Sequence, residues 1–204
     1  LVRKRSQIAS LESALRSAGI PVDVIGLGGL IHVPEVADIV SMLKVIADPD
    51  AGAALILGAG GTARAIVVGL LEEGVPEVRI ANRTPERAQA LADAFGPRVK
   101  VISWAERNDA MADVKLLVNT TTQGMHGQAD LDVHLDALPA SAMVSDAIYM
   151  PLETPLLEQA RKRGHLTVNG LGMLLNQAIP AFEAWFGVRP LVTAELRAVV
   201  QATF

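Results

Sequence analysis

The pattern of hydrophobic and polar positions changes near residue 51. Beyond it, short apolar runs alternate with longer amphipathic stretches, as in strands and helices that build a parallel sheet. The pattern predicts six strands, over residues 54–57, 78–81, 99–102, 114–119, 143–148 and 166–168. It predicts helices over residues 62–73, 85–95, 104–112, 154–163, 172–186 and 193–203. Because parallel strands need crossover helices on both faces, we expect a doubly wound, Rossmann-type α/β sheet.

Residues 1–50 show a different rhythm of apolar positions. The pattern predicts a helix over 6–18, a short strand over 22–25, a glycine-rich turn and a second helix over 34–47. The sequence Asp48-Pro49-Asp50 ends that helix, and Gly52 loosens the backbone after it. We therefore expect two parts: an N-terminal helix–strand–helix over residues 1–50, which extends the sheet or covers it, and a Rossmann domain over residues 51–204.

Composition and charge exclude several classes of protein. Half of the 204 residues are hydrophobic, so the chain can bury a core, and 18 basic against 22 acidic residues give a net charge of −4. This balance does not predict a nucleic-acid surface. The lack of cysteine excludes disulfides and cysteine-based sites. No apolar run is long enough for a membrane span or a signal peptide, so we expect a cytoplasmic protein without a membrane partner. The oligomeric state stays open.

The first predicted strand of the Rossmann part is followed by a glycine-rich turn that opens directly into a helix. The turn consists of Gly58, Ala59, Gly60, Gly61, Thr62 and Ala63. The spacing Gly-x-Gly-x-x-Ala between a strand and a helix is typical of dinucleotide binding, in which the pyrophosphate lies on the helix N-terminus. Gly58 would form the tight turn, Gly60 would admit the pyrophosphate, and Ala63 would let the helix approach the strand. The alternative is a glycine-rich turn without a ligand.

The end of the second strand indicates which cofactor would bind. A site for NAD has an acidic residue there, which bonds the ribose hydroxyls. This chain has Asn82, Arg83 and Thr84 instead. A guanidinium can donate a planar pair of hydrogen bonds to a 2′-phosphate, with Asn82 and Thr84 as neutral donors, so the sequence favours NADP. The alternative is that Thr84 only caps the next helix and Arg83 is a solvated surface charge.

Several motifs, taken in order, are similar to the NADP-binding half of the shikimate dehydrogenase family. They occupy residues 58–64, 82–84, 119–125, 146–156 and 170–178. The resemblance implies an oxidoreductase of aromatic amino-acid biosynthesis that reduces 3-dehydroshikimate to shikimate with NADPH. It also implies contacts to the cofactor from Asn119, Thr120, Met125, Ile148, Gly170 and Met173.

Two further residues would face the substrate by the same resemblance. Tyr149 would contact it, and Gln177 would reach its hydroxyl groups from the first turns of a helix. Each of these residues also has a plainer interpretation. Met173 and Ile148 can be core residues, and Gln177 can be a surface amide.

The resemblance does not extend to the catalytic domain of the family. That domain contains a Ser-x-Ser substrate clamp and a Lys–Asp pair, and none of these motifs occurs in the 204 residues. The pair moves the proton while hydride is transferred, so no catalytic residue is assigned here and we expect the isolated chain to be inactive. The alternative hypothesis is an inactive α/β scaffold or a chimeric protein.

Residues 1–26, 34–40 and 46–50 resemble a piece of the second motor domain of superfamily 1 DNA helicases. The piece has neither a P-loop nor an acidic Mg²⁺ site, so no ATPase activity follows. In that family, the arginine that corresponds to Arg3 or Arg5 lies near the nucleotide. In this chain, a surface charge is the simpler interpretation of either residue. Together with the preceding motifs, it suggests a chimera of two α/β proteins or a fused reading frame.

The remaining candidate sites are weak. His126, Asp130, Asp132 and His134 lie close together in the chain, but their spacing matches no common zinc site, so no metal is expected. The turn over 26–29 imitates a dinucleotide fingerprint, but His32 and Pro34 interrupt the helix that should follow. No serine lies in a Gly-x-Ser-x-Gly elbow, so acyl transfer is not expected.

Overall fold

The computed structural model describes residues 52–203, together with Ala14, Ser17 and Ala18. The chain divides into two compact units, Leu1–His32 and Val33–Phe204. In the first unit, Ala14 and Ser17 are helical, and the Ala18 amide donates to the Ala14 carbonyl at 3.1 Å, as the predicted helix over 6–18 requires. The other predictions for residues 1–50, including the boundary near residue 51 and the roles of Arg3 and Arg5, lie outside the described residues.

The second unit contains a six-stranded parallel sheet. Its strands are β1 (Ala53–Leu57), β2 (Val78–Ala81), β3 (Val99–Ile102), β4 (Val114–Asn119), β5 (Met143–Asp146) and β6 (Leu166–Val168). They lie in the order β3-β2-β1-β4-β5-β6, with all five pairings parallel. The order reverses between β1 and β4, so the ligand crevice of such a sheet lies above this pair. The predicted doubly wound α/β fold is confirmed.

Six α-helices accompany the strands within residues 52–203. They are α1 (Gly61–Glu72), α2 (Pro85–Phe95), α3 (Pro155–Lys162), α4 (Leu171–Asn176), α5 (Ile179–Phe186) and α6 (Ala194–Gln201). In this part of the chain, no helix has the length and the apolar character that crossing a bilayer requires.

Both faces of the sheet are covered, as the apolar runs of the sequence require. All five residues of β1 are buried. Their side chains alternate between the faces: Ala54 and Ile56 pack with α1 residues such as Ile66 and Leu70, whereas Leu55 and Leu57 pack with α3 and the loop before β5. A one-residue shift of this strand would place these alanine and isoleucine side chains on the α3 face and the leucine side chains on the α1 face, so packing holds its register and its carboxyl end in place.

The helix predicted over 104–112 is wrong except for its last part. Only a short 3₁₀ helix forms, over Asp109–Met111. The Arg107 guanidinium donates to the backbone carbonyl of Trp104 at 2.6 Å and to that of Asp132 at 2.6 and 2.9 Å. A side chain that takes a nearby carbonyl oxygen competes with the helical hydrogen bond of that carbonyl.

The single helix predicted over 172–186 is two helices. Pro180 has no amide hydrogen for the carbonyl of Asn176, and α4 ends at that residue. The predicted strand over 143–148 is also shorter than expected, because β5 ends at Asp146. Beyond it, the Ile148 amide turns back to donate to the Asp146 side chain at 3.0 Å.

Candidate dinucleotide-binding site

The turn after β1 requires a glycine at position 58. Gly58 has a φ of +104°, and a Cβ atom there would lie 2.6 Å from the Thr120 hydroxyl oxygen. The Gly58 amide donates to the Ala81 carbonyl at 2.8 Å, and the Thr120 amide and hydroxyl both donate to the Leu57 carbonyl at 2.8 Å. The turn is therefore held between the carboxyl ends of β2 and β4, where the order of the strands reverses.

The next two glycines face open space instead. A Cβ atom on Gly60 or Gly61 would meet no heavy atom within 4 Å, and both residues are exposed. Gly60 is the N-cap of α1, no side chain caps this helix end, and its first turn has no acidic residue. Ala59 and Thr62 are half-buried, whereas Ala63 is fully buried against the sheet. The arrangement leaves backbone amides and the positive end of a helix dipole facing an open groove, which fits a phosphate group.

Asn82, Arg83 and Thr84 follow β2 at the same edge of the sheet. The Asn82 side-chain amide donates to the Thr84 carbonyl at 2.7 Å, so one of its hydrogens is already used locally. Thr84 is the N-cap residue of α2, but its side chain makes no cap hydrogen bond. Arg83 is exposed, and within residues 52–203 no carboxylate pairs with it. Thr84 therefore occupies the capping position of α2, but its hydroxyl group does not cap the helix.

Sequence reasoning missed a second arginine beside this segment. Arg87 lies three residues after the N-cap Thr84, where a side chain can reach back to the start of the helix, and its amide donates to the Thr84 carbonyl at 3.1 Å. Arg87 is exposed, and in the described part of the chain it forms no ion pair. Its spacing of four residues from Arg83 is the signal that could have identified it.

Asn119 and Thr120 end β4, but their side chains are used within the protein. The Asn119 side chain is fully buried, donates to Asp146 Oδ1 at 3.0 Å and accepts from the Thr121 amide and hydroxyl at 3.0 and 2.8 Å. Thr120 is half-buried and bonded to β1 as described above. Asn119 therefore fixes the loop that follows β4 and links it to the end of β5.

Asp146 lies opposite Asn119 in the register of β4 and β5, and it is buried with 1% exposure. Its Oδ2 accepts from the Thr154 hydroxyl at 2.7 Å, and its Oδ1 accepts from the Ile148 amide as well as from Asn119. Burial raises the pKa of this carboxyl above its ordinary value, and the hydrogen bonds from Thr154, Ile148 and Asn119 act in the opposite direction. A polar residue that ends a buried strand is the sequence signal for this group.

Ile148 and Tyr149 lie on the loop that Asp146 holds. Ile148 is buried and Tyr149 is half-buried. The peptide bond from Met150 to Pro151 is cis, and the Met150 carbonyl accepts from the His126 amide at 3.2 Å. The half-buried Met125 therefore lies next to a residue bonded to this loop. The two predicted segments, after β4 and after β5, are in contact.

Gly170 brings the start of α4 against the same loop. Its amide donates to the Ile148 carbonyl at 2.9 Å, and a Cβ atom on it would lie 2.1 Å from the Ala147 carbonyl oxygen, so only glycine fits. A cavity of about 180 Å³ lies here, lined by residues that include Ala147, Gly170 and Met173. Gln177 is exposed and forms the C-cap of α4, so it follows this short helix instead of lying in the first turns of a long one.

The acidic and histidine residues considered for a metal are divided between two places: the His126 amide bonds to Met150 in the loop after β5, whereas Asp132 and His134 contact Arg107 and Asn108. Asp132 pairs with Arg107 at 2.8 Å, and the His134 amide donates to the Asn108 side chain at 3.2 Å. Among residues 52–203, no group of three or more such side chains is placed to hold a metal ion.

Comparison with known proteins agrees with this geometry. Residues 42–126 match the family model for shikimate/quinate 5-dehydrogenase, and residues 170–200 match the C-terminal domain of shikimate 5′-dehydrogenase. The NADP(+) shikimate dehydrogenase of Dinoroseobacter shibae is 58% identical over 154 residues, which cover 76% of this chain and 55% of the relative. The chain thus spans about half the length of the curated relatives it matches.

Two solved structures have the same architecture. Shikimate 5-dehydrogenase from Thermus thermophilus, in complex with NADP(H) and shikimate, aligns with a TM-score of 0.68 and 31% identity over 84% of this chain and 63% of the other. Quinate dehydrogenase from Corynebacterium glutamicum, in complex with NAD, aligns with a TM-score of 0.72 and 29% identity over 84% and 62%. The fold, the ordered motifs and these matches place the matched part of the chain in the shikimate dehydrogenase family.

Proposed function

We propose that residues 51–204 form an NADP(H)-binding oxidoreductase domain of the shikimate dehydrogenase type. The observation that carries this proposal is the open glycine turn at the N-terminus of α1. Gly58 must be glycine for the fold, whereas Gly60 and Gly61 lack a side chain at positions where the protein itself would tolerate one. Space kept empty beside uncapped helix amides suits a pyrophosphate.

The adenosine-side region consists of the turn over 58–63 and the segment over 82–84, with Arg87. Arg83 and Arg87 flank the N-terminus of α2 without carboxylate partners among the described residues. Two unpaired guanidinium groups at the positive end of a helix repel each other and the helix dipole, so a bound dianion would stabilise the arrangement. The 2′-phosphate of NADP(H) is such a group, and its recognition would discriminate against NAD(H).

The nicotinamide-side region consists of residues 119–125, 146–154 and 169–173, with Gln177. Here Ile148, Gly170 and Met173 would border the nicotinamide ring, and Thr120 and Met125 would lie beside it. Tyr149 and Gln177 would contact a shikimate-like substrate. When bound, NADP(H) supplies the hydride that reduces a carbonyl carbon. The chain's own residues would hold the ring, and the buried Ile148 would exclude water from one side of it.

The proton that accompanies the hydride needs a separate donor. The Lys–Asp pair that the family uses is not found in this sequence. We therefore propose that the 204-residue chain binds the cofactor without converting 3-dehydroshikimate.

We further propose that residues 1–50 derive from a different α/β protein. The resemblance to a helicase segment supports this origin, whereas the family match starts at residue 42, about nine residues before the proposed boundary. Long-read sequencing of genomic DNA across the codons near residue 51 tests the proposal. A continuous reading frame in the genome would support a natural fusion and would rule out a misassembled sequence.

The cofactor proposal is tested by titrating the 204-residue protein with NADPH and with NADH, using the nicotinamide fluorescence of each. We expect saturable binding of NADPH and at least about tenfold weaker binding of NADH, because the 2′-phosphate is recognised by charge-assisted bonds. Equal affinities would contradict the choice of NADP. No binding of either cofactor would leave the inactive-scaffold hypothesis.

A further inference from the structure

The carboxylate of Asp146 lies where three segments of the nicotinamide-side region meet. It accepts hydrogen bonds from the Asn119 side chain at the end of β4, from the Ile148 amide in the loop after β5, and from the Thr154 hydroxyl that precedes α3. These distances are 3.0, 3.0 and 2.7 Å. One side chain therefore joins two strand ends and a helix start.

The orientation of each side-chain donor is fixed by a second contact. The Asn119 oxygen accepts from Thr121, so the amide nitrogen must face Asp146. The Thr154 oxygen lies 3.3 Å from the Leu157 amide and accepts from it, so its hydroxyl hydrogen points toward Asp146. An ionised carboxylate only accepts hydrogen bonds, so it satisfies all three donors at once. This network therefore favours one placement of the loop after β5.

The side chains of Asn119, Asp146 and Thr154 are almost fully buried, with exposures of 0%, 1% and 1%. Asn119 and Thr154 do not line the cavity beside Gly170, whereas Asp146 forms part of its wall. Ile148 and Tyr149, which would contact the ring and the substrate, follow closely after Asp146 in the chain. Any effect of Thr154 on a ligand must therefore pass through the placement of this loop.

We propose that Asp146 is a positioning residue, which with Thr154 sets the place of Ile148 and Tyr149 against the nicotinamide ring and the substrate. The inference rests on the proposed NADP(H) function and deepens it. It predicts that weakening the network lowers affinity for the nicotinamide half of the cofactor alone. The adenosine half, which lies on the Gly58 turn and Arg83, should bind as before.

The experiment compares two ligands that differ by the nicotinamide half, NADPH and adenosine 2′,5′-bisphosphate. Thr154→Val keeps the shape of the side chain and removes its hydroxyl, whereas Thr154→Ser keeps the hydroxyl. Thr193→Val is the matched control, because Thr193 also caps a helix, accepting from the Leu196 amide at 3.2 Å, but lies outside the region. Dissociation constants and nicotinamide fluorescence are measured for each variant.

We expect Thr154→Val to weaken NADPH binding by about tenfold, since the loop loses a hydrogen bond to a carboxylate that fixes its placement. Its affinity for the bisphosphate should stay within about twofold, because distant sites act independently. Thr154→Ser and Thr193→Val should behave like the unmodified protein for both ligands. The nicotinamide emission of bound NADPH should change only in Thr154→Val.

Two results would overturn the inference. They are unchanged NADPH binding by Thr154→Val, and equal losses for NADPH and the bisphosphate. If circular dichroism shows that Thr154→Val is unfolded, Asp146→Asn provides the same comparison, because its remaining oxygen keeps the Asn119 and Ile148 contacts. An unmodified protein that binds neither ligand contradicts the proposed function itself, which distinguishes the two failures.

Discussion

The two halves of the proposed site are built by different means. In the adenosine-side region, the turn over 58–63 presents backbone amides to open space, and its exposed arginines have no partners among the described residues. In the nicotinamide-side region, the polar side chains at the strand ends are buried and bonded to one another. The difference teaches that one half binds with groups kept unsatisfied for a ligand, whereas the other half shapes a surface with groups that are already satisfied.

The largest expected effect concerns turnover. A contrary result would remove the contrast between the two regions most completely. If the nicotinamide-side region only shapes a surface, the 204-residue protein should bind NADP⁺ without oxidising shikimate. General acid–base groups contribute about 10² to 10⁴ in rate, and loss of substrate positioning adds to that deficit. NADPH absorbance with excess shikimate and NADP⁺ is the measurement. Turnover near about 10 s⁻¹ would reveal a proton-transferring group in this chain.

A substitution in the glycine turn should separate binding from folding. Gly60→Val should abolish binding of NADPH and of NADH while the protein stays folded, because a Cβ atom at this position meets no heavy atom within 4 Å and the branched side chain would occupy the groove. Gly58→Val is the contrasting variant. Its positive φ and the contact with Thr120 should lower the free energy of unfolding by at least about 2 kcal/mol. Urea unfolding and cofactor titration of both variants check the contrast, and an unfolded Gly60→Val would contradict it.

The third prediction concerns the charge of the adenosine-side region. Arg83→Ala should weaken NADPH binding by about 1.5 to 3 kcal/mol, which is about tenfold to a hundredfold or more, and should leave NADH binding nearly unchanged. Arg98→Ala is the control, since Arg98 bonds to the Leu71 carbonyl near the other end of α1 at 3.2 Å. Equal losses for both cofactors would show that Arg83 does not contact the 2′-phosphate.

The smallest expected effect is a dependence of stability on pH, and it has opposite signs at two carboxylates. The hydrogen bond from Arg79 lowers the pKa of Asp113, so the stability that Asp113 contributes is lost as pH falls through its folded pKa. Burial raises the pKa of Asp146, so its contribution is lost as pH rises through its folded pKa. Relative to the unmodified protein, Asp113→Asn should become less stable with rising pH and Asp146→Asn more stable. Urea unfolding between about pH 3 and 7 measures both slopes, and equal signs would contradict the burial argument.

The strands could be predicted from the sequence because each is an apolar run bounded by turn residues. The segment over 104–112 could not, because its conformation depends on the hydrogen bonds between Arg107 and Asp132, which are 25 residues apart. The break between α4 and α5 had a local signal in Pro180. The apolar spacing continues through the proline and by itself favours one long helix.

The candidate site divides in the same way. The Gly58 turn and Arg83 follow from local sequence, since a strand, a glycine spacing and a helix start are all adjacent in the chain. The network of Asn119, Asp146 and Thr154 needs the register of β4 and β5, which places Asn119 opposite Asp146. Composition and periodicity do not determine that register. The resemblance to the shikimate dehydrogenase family indicated these segments, but it did not indicate the hydrogen bonds between them.

The close approach of Gly170 to the loop after β5 has a consequence for motion. The Gly170 amide is bonded to the Ile148 carbonyl at 2.9 Å, and there is no room for even a methyl group between Gly170 and Ala147. Two backbones in such contact cannot slide past each other without losing that bond. Thermal fluctuations at this edge should therefore displace Ile148 and the start of α4 together, as one rigid unit. The distance that can vary is then the width of the groove between this unit and the Gly58 turn.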